Sequence, residues 1–463
     1  MVPVGKYVLL AISAFSLIIF VWVDDREAKR LSELSFGEGS EVVIEDYSLL
    51  AHYIEKSKKS STPEKRDIDR EILKRVVNVY TNSIFEKTLN SLHRSGTYLE
   101  LLATISPPRY KGMALQASDI DIYHDQMSNN TRAYISFNTQ GEMMAGAIQV
   151  IKITNAKDSH REEKSSKKNQ KNFKSKPVEL EVEQTLVFKD TDIHSLRREG
   201  QSLFLVGATS DPKFKTPSVL EILSLHKGLV PHDQSSRIDL PSFAATSVVS
   251  LKEGIFVSVG DREGGVVRLD NKKSLPIGYT HFESIGHEYM PIEDPRDLAY
   301  TKDELLSVTG TQASLWIKNR KKNLRGEPPL IHSIEGATLK EAKSSIEVSK
   351  YYIYLGLGDG GTKILDLENY DVLGFIPPKV ISGIDSALTV TNAVSADDDE
   401  IYTADGEGGS RVFQIEKSGD LRQVASIRFG QGLSVNSVKK LGSYVIFATG
   451  LGGVKIARLV KER

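Results

Sequence analysis

The chain has 463 residues, of which 60 are Lys or Arg and 61 are Asp or Glu, so its formal net charge is −1. This balance, with 40% hydrophobic residues, is typical of an ordinary folded protein and gives no overall sign of nucleic-acid binding. The chain contains no cysteine, which excludes disulfides, thiolate metal sites, cysteine nucleophiles and lipid attachment through cysteine. Because an average domain has ~150 residues, we expect several domains or one large repeat architecture.

Residues 7–23 form an uncharged, largely apolar segment of 17 residues between Lys6 and the pair Asp24 and Asp25. Such a segment is just long enough to span a bilayer, and the bulky residues at its end do not resemble a signal-peptidase site. We therefore predict an uncleaved transmembrane signal anchor over residues 1–23, with a cleaved signal peptide as the alternative. The charge distribution favours a cytoplasmic N-terminus. The predicted location is the inner (cell) membrane, single-pass, with the C-terminal domain periplasmic or otherwise extracytoplasmic.

Two further segments lack any strand pattern. Residues 24–96 read as a polar helical linker or stalk, in which Ser61 and Glu64 fit a capping box and apolar residues then recur at helical spacing. The helix predicted over residues 63–94 docks either on the propeller described below or on a partner. The insert 156–177 is strongly basic and lacks residues for a core, which predicts a flexible, solvated loop. Contact with anionic lipid or an acidic partner is the alternative for this insert.

A short apolar strand, a turn that ends in Gly-Gly and a second strand recur along the chain. The second glycines of four copies are separated by 96, 48 and 44 residues, and 96 is twice 48. These glycines are Gly265, Gly361, Gly409 and Gly453. Because each pair lies between two strands and opens no helix, it is typical of a tight hairpin and not of a phosphate-binding loop.

Three more copies complete the series. A degenerate copy without the glycine pair lies at residues 305–317, midway between the first two, and earlier copies lie at 203–223 and 133–153. Each unit also has room for an inner and an outer strand, and four strands in a unit of ~48 residues are typical of a propeller blade. The total of seven copies predicts an all-β, seven-bladed β-propeller over residues 97–463.

Closure of the ring is also predicted. The last copy ends at Arg463 without room for an outer strand. Residues 97–108, which precede the first copy, resemble the outer strand of a later copy at 371–378. We therefore expect the strand after residue 97 to complete the C-terminal blade, because an unpaired blade edge would leave apolar surface and backbone groups exposed.

Two copies share a turn ending in glycine and an apolar strand that runs into Asp, at residues 264–270 and 358–367. In this respect the repeats resemble the LVIVD-type family of bacterial propeller repeats. Gln414 and Arg458 replace the Asp in two later copies. The resemblance extends over roughly residues 97–463 and is weak before residue 250. It implies a propeller, often exported, and almost nothing about activity.

When the repeat copies are aligned, the residue at the start of each innermost strand is polar. In a propeller the innermost strands line the central channel. Asp297, which follows one of these residues, is polar as well. We predict a binding site for a ligand or partner at the channel mouth, with an ordinary water-filled channel as the alternative. The predicted site residues are His194, Thr246, Arg296, Asp297, Asn392 and Asn436.

Acidic residues recur in the hairpin turns, at Asp261, Asp359 and Asp405. If the copies form blades, these residues project on one rim of the ring. Such an acidic rim would bind a cation or a basic partner; ordinary solvated turn residues are the alternative.

Catalytic patterns are missing from the sequence. The ten histidines do not recur at one blade position, and there is neither a zinc-binding His-Glu-x-x-His nor a Gly-x-Ser-x-Gly elbow. We predict no catalytic residue, no metal and no cofactor. The expected function is a membrane-anchored protein-interaction or scaffolding module with a protein partner. A propeller enzyme, either a hydrolase or an oxidoreductase with its site at the channel mouth, is the alternative.

Overall fold

The computed structural model describes most of the chain after residue 96 and three short strands before it. The described ranges are 97–125, 130–141, 143–154, 179–231, 235–260, 264–270, 277–310, 314–319, 330–334, 339, 343–397, 399–416 and 419–461. The short strands are Leu10–Ala11, Ile18–Ile19 and Val42–Ile44. Apart from these strands, the predicted anchor, stalk and basic insert lie outside the described residues. No helix within the described ranges is long and apolar enough to cross a membrane.

Seven antiparallel sheets of four blade strands each form the body of the protein, numbered here as blades 1 to 7 in chain order. From the channel outwards, blade 1 consists of Gln116–Asp125, Asn130–Asn138, Gly146–Thr154 and Glu179–Phe188. Blade 2 consists of Thr191–Glu199, Ser202–Thr209, Ser218–Ser224 and Ser235–Asp239. Blade 3 consists of Ala244–Leu251, Gly254–Gly260, Gly265–Leu269 and His287–Pro291. Blade 4 consists of Pro295–Tyr300, Glu304–Thr309, Ser314–Asn319 and Leu330–Ser333.

The remaining blades complete the ring. Blade 5 consists of Ser344–Val348, Tyr352–Leu357, Thr362–Asp366 and Val372–Ile376. Blade 6 consists of Ala393–Ala396, Glu400–Ala404, Ser410–Ile415 and Leu421–Ile427. Blade 7 consists of Ser437–Leu441, Tyr444–Ala448, Val454–Lys461 and Thr97–Ile105. Each innermost strand contacts those of the two adjacent blades, and that of blade 7 contacts that of blade 1. The predicted all-β, seven-bladed propeller is confirmed.

The N-terminal strand closes the last blade as expected. Thr97–Ile105 pairs antiparallel with Val454–Lys461, with Leu99 opposite Leu459. Leu99 and Leu101 are buried in a cluster formed between blades 6 and 7. Val42–Ile44 pairs with the other edge of the same strand. The ring is therefore closed by a sheet that joins the two ends of the propeller.

The apolar core lies between neighbouring blades, because each blade has two faces to bury. Phe204 and Leu220 of blade 2, for example, share a buried cluster with Val257 and Val267 of blade 3. Burying one such side chain contributes about 1.5–3 kcal/mol, so each blade stabilises its neighbours. This explains why the second strand of blade 6, Glu400–Ala404, is buried at every position.

The recurrent glycines occupy hairpins in which a side chain would not fit. Gly361, Gly409 and Gly453 have φ values of +73°, +84° and +72°. A Cβ atom at these positions would lie 2.3, 2.0 and 2.1 Å from a carbonyl oxygen of the outer strand of the same blade. Positive φ and close backbone approach both require glycine. The hairpin interpretation of the glycine repeat is therefore confirmed at these three turns.

Besides Val42–Ile44, which lies in the segment predicted to be helical, three features outside the four-stranded pattern were not anticipated. Gly278–His281, from the connection within blade 3, pairs in parallel with the outer strand of blade 2. A small hairpin joins Arg109–Tyr110 to Met113–Ala114. Two 3-10 helices occupy Phe282–Ser284 and Ser386–Leu388.

Candidate functional site at the channel mouth

A cavity of about 460 Å³ opens at the end of the ring where the innermost strands begin. The six residues predicted from the sequence, which belong to blades 2, 3, 4, 6 and 7, all line it. These residues are His194, Thr246, Arg296, Asp297, Asn392 and Asn436. Irregular pairing of the innermost strands of blades 1 to 4 leaves His194, Thr246 and Arg296 unpaired in the sheet, together with Ser118 of blade 1.

Most of these side chains link one blade to the next. We call the polar residue near the start of each innermost strand the mouth residue of its blade. In five blades the side chain of this residue hydrogen-bonds to a backbone carbonyl of the next blade. The carbonyl belongs to the residue directly before the next mouth residue. The bonds run from Ser118 to Ile193 (2.9 Å), His194 to Ala245 (3.1 Å), Thr246 to Pro295 (3.1 Å), Asn392 to Val435 (3.0 Å) and Asn436 to Ala117 (2.9 Å). Burial lowers the pKa of His194, so the neutral imidazole is favoured. The mouth residues thus form a nearly continuous ring of inter-blade hydrogen bonds.

Blades 4 and 5 depart from this pattern. The Arg296 guanidinium pairs with Asp294 in its own blade, with distances of 2.8 Å from Nε to Oδ1 and 2.9 Å from Nη2 to Oδ2. Ser344, the corresponding residue of blade 5, has a buried Oγ with no hydrogen-bond partner among the described residues. Lys343, immediately before it, also lines the cavity.

Asp297 and Ser345, which directly follow the mouth residues of blades 4 and 5, accept hydrogen bonds from adjacent blades. Asp297 Oδ1 accepts a hydrogen bond from Ser247 at 2.6 Å, and Oδ2 accepts one from the Ile346 amide of blade 5 at 3.0 Å. Ser345 likewise accepts a hydrogen bond from the Val394 amide of blade 6 at 3.2 Å. Burial raises the pKa of the Asp297 carboxyl, although Arg197 and these hydrogen bonds oppose the rise. Asp297 therefore holds adjacent blades together.

A charged layer lies three residues further along the innermost strands, or ~10 Å deeper at the rise of a β-strand. Lys439 Nζ of blade 7 lies 2.5 Å from Glu347 Oε2 of blade 5, and Arg197 Nη1 lies 3.7 Å from Asp119 Oδ2. Burial lowers the pKa of Arg197, but Asp119, Asp121, Asp297 and Glu347 outweigh it and raise the pKa. This layer was not predicted from the sequence. The sequence feature that indicates the layer is a charged residue three positions after the mouth residue, which occurs in blades 1, 2, 5 and 7.

The acidic rim is not formed as predicted. Asp405 has no exposed surface, and its carboxylate pairs with Arg411, with 2.6 Å between Nε and Oδ2. Prediction of a projecting Asp405 was wrong because Arg411, on the next strand of the hairpin, points back to it. Asp359 is half-buried and accepts a hydrogen bond from the Leu339 amide at 3.2 Å. Asp261 lies outside the described residues. Within the described ranges, no group of three or more His, Asp or Glu residues could hold a metal ion.

A second surface lies between the outer strands of blades 4 and 5 and is named here the blade 4/5 cleft. Leu330 is opposite Ile317, and Val372 is opposite Leu365. Ile317 and Leu365 share the buried cluster between these two blades, and directly opposed residues project from the same face. Leu330, Val372 and Phe375, which is opposite Lys363, therefore face this cleft. They are 57%, 49% and 52% exposed.

No family model and no curated protein matches the chain. Similar solved structures include that of U3-55K, with a TM-score of 0.47 and 11% identity, covering 75% of this chain and 97% of that one. A catalytically inactive virginiamycin B lyase from Staphylococcus aureus with quinupristin has a TM-score of 0.47 and 10% identity, covering 79% and 100%. The computationally designed Ika8 protein has a TM-score of 0.40 and 11% identity, covering 76% and 98%.

Proposed function

We propose that this protein is a membrane-anchored protein-interaction or scaffolding module that binds a protein partner through the blade 4/5 cleft. The observation that carries the proposal is the exposure of Leu330, Val372 and Phe375, which face one cleft from both of its sides. Exposed apolar groups that cluster in this way are typical of protein-binding surfaces. The partner we expect presents an apolar side chain or segment that enters the cleft.

The channel mouth favours the same function over catalysis. Five of its polar side chains are already bonded to backbone carbonyls of neighbouring blades. A propeller hydrolase or oxidoreductase, the alternative, requires groups at the mouth that are available for proton transfer, and these five side chains serve instead to join the blades.

The membrane part of the proposal rests on residues 7–23, whose apolar sequence is long enough to span a bilayer. We infer that this segment anchors the propeller on the periplasmic side of the inner membrane, where it joins a membrane complex. The LVIVD-type resemblance of the repeats is in keeping with an exported propeller.

Site-specific photocrosslinking in native membranes tests the proposed interaction. A benzophenone side chain is placed at Phe375 or at Leu330 of the full-length chain, and at Met113 as a control, which is 46% exposed on a different part of the molecule. We expect one discrete crosslinked product from the two cleft positions and none from Met113. The product should disappear in the presence of excess unlabelled protein and persist when the competitor carries Phe375→Glu. Absence of a product at both cleft positions, or equal products at all three, would contradict the proposal.

A further inference from the structure

The break in the ring of mouth hydrogen bonds marks one sector of the cavity. In blade 5 the Ser344 Oγ has no hydrogen-bond partner within the part of the chain that the structure describes, although Ser344 is only 6% exposed. Because buried hydroxyl groups in native proteins are nearly always hydrogen-bonded, such a group leaves a donor for a water, an ion or a ligand. Ser344 lines the cavity itself.

Lys343 adds a positive charge to the same sector. It lines the cavity, and its side chain makes no ion pair or hydrogen bond with any residue in the described ranges. Its charge acts on His194 of blade 2, and Asp119 of blade 1 acts on it in turn. Lys343 is an exposed residue and is one of those that line the mouth. Burial lowers the pKa of Lys343, which an anionic ligand would reverse.

The other charges of the lining have partners. Arg296 pairs with Asp294, and Arg197 lies beside Asp119. Both oxygens of Asp297 accept hydrogen bonds from protein groups. The lining has three carboxylates and three cationic side chains, and Lys343 is the cationic one that has no direct partner among the described residues. A ligand with a single negative charge suits this balance better than one with two.

We propose that the channel mouth binds a small organic monocarboxylate, with its carboxylate held by Lys343 and Ser344. A phosphate dianion would introduce a second charge without a counterion at this site, which is unfavourable in a partly buried location. Phe243, 56% exposed at the edge of the cavity, offers an apolar contact for the body of the ligand. The cavity of about 460 Å³ is within the range of small-molecule sites. This site is separate from the blade 4/5 cleft and does not depend on the proposed partner.

The probe for this site is para-fluorophenylacetate, which combines a carboxylate with an aromatic ring. Its fluorine NMR signal is followed during titration with the detergent-solubilised full-length protein. We expect saturable line broadening with the native chain. Lys343→Gln should weaken binding by about tenfold or more, because it removes a charged hydrogen bond, and Ser344→Ala by about threefold. The matched control is Lys213→Gln, which removes an exposed lysine of blade 2 that does not line the cavity and should leave binding unchanged.

Competition experiments define the ligand class. Unlabelled phenylacetate should displace the probe, whereas the neutral phenylacetamide and inorganic phosphate should not. Because the side chains of Lys343 and Ser344 make no hydrogen bond or ion pair with described residues, both variants should melt at the native temperature, so that a loss of binding is not a loss of folding. The proposal is overturned by an absence of saturable broadening, by equal binding to the native and Lys343→Gln proteins, or by displacement of the probe by phenylacetamide or phosphate.

Discussion

Asn436 of blade 7 donates a hydrogen bond from Nδ2 to the carbonyl oxygen of Ala117 in blade 1, at a distance of 2.9 Å. These residues are separated by 319 positions in the chain, and their bond joins the last blade to the first. Closure of the ring therefore occurs twice, at the channel through this bond and at the outer surface through Thr97–Ile105.

Asn436→Leu should destabilise the propeller, because it leaves the buried Ala117 carbonyl without its donor. The expected loss is about 1–3 kcal/mol in the free energy of unfolding, measured in urea. Ser344→Ala is the matched control, since it alters the same position of blade 5, where the hydroxyl has no partner. Identical urea midpoints for the two variants would show that the bond does not contribute to closure.

Removal of the closing strand should prevent stable folding. A fragment that begins at Thr97 retains the pairing with Val454–Lys461 and should remain soluble, whereas a fragment that begins at Lys111 lacks it. The shorter fragment leaves Ile456 and Leu459, which are buried in the intact ring, without their covering strand. Sedimentation and thermal unfolding compare the two fragments. Equal solubility and melting temperature would refute closure by this strand.

The ion pair that replaces the expected acidic rim should contribute strongly to stability. Asp405→Ala leaves the Arg411 charge buried and unpaired, and loss of one partner of a buried pair costs about 3–5 kcal/mol. Glu416→Gln breaks an exposed pair with Arg422 in the same blade and should cost less than about 1 kcal/mol. Urea unfolding of both variants measures the difference. Comparable losses would mean that the Asp405 pair is effectively solvated.

Glu400 of blade 6 makes stability depend on pH. Burial opposes its ionisation, but Lys440, Tyr402 and Lys461 outweigh this effect and lower its pKa from 4.5 to about 2. A lowered pKa in the folded state stabilises the protein above pH 4.5, and this stabilisation is lost as the pH falls towards 2. The difference in unfolding free energy between the native protein and Glu400→Gln should therefore be largest near neutral pH and shrink in acid. A constant difference across this range would contradict the assignment.

Topology is predicted from the sequence alone and can be tested directly. Lys6 before the apolar segment and the two aspartates after it favour an extracytoplasmic propeller, whereas the basic residues Arg26, Lys29 and Arg30 oppose it. Alkaline phosphatase fused after Arg463 should be active in intact cells. Fluorescence from a reporter that folds only in the cytoplasm would reverse the topology and favour contact of the insert 156–177 with anionic lipid of the inner leaflet.

The position of the channel site was predictable from the sequence, whereas the role of its residues was not. A polar residue at the start of each innermost strand indicates a position that faces the channel. All six predicted residues line the cavity. Their partners lie on other blades, as for His194 and the Ala245 carbonyl, 51 residues away. No local pattern identifies such a partner. The same limitation applies to the parallel pairing of Gly278–His281 with blade 2.

The sequence by itself determined the number of blades and the strand that closes the ring, because a strand, a turn and a second strand recur seven times, and in three of these turns only glycine satisfies the backbone. The three turns contain Gly361, Gly409 and Gly453, and the need for glycine there arises within each turn and its own blade. The tertiary structure alone decided which polar side chains hold blades together, which are buried in ion pairs and which remain for a ligand. Asp405 and Ser344 show the reason. The environment of a side chain depends on groups brought together by closure of the ring, so a buried pair formed in one case and an unpartnered hydroxyl remained in the other.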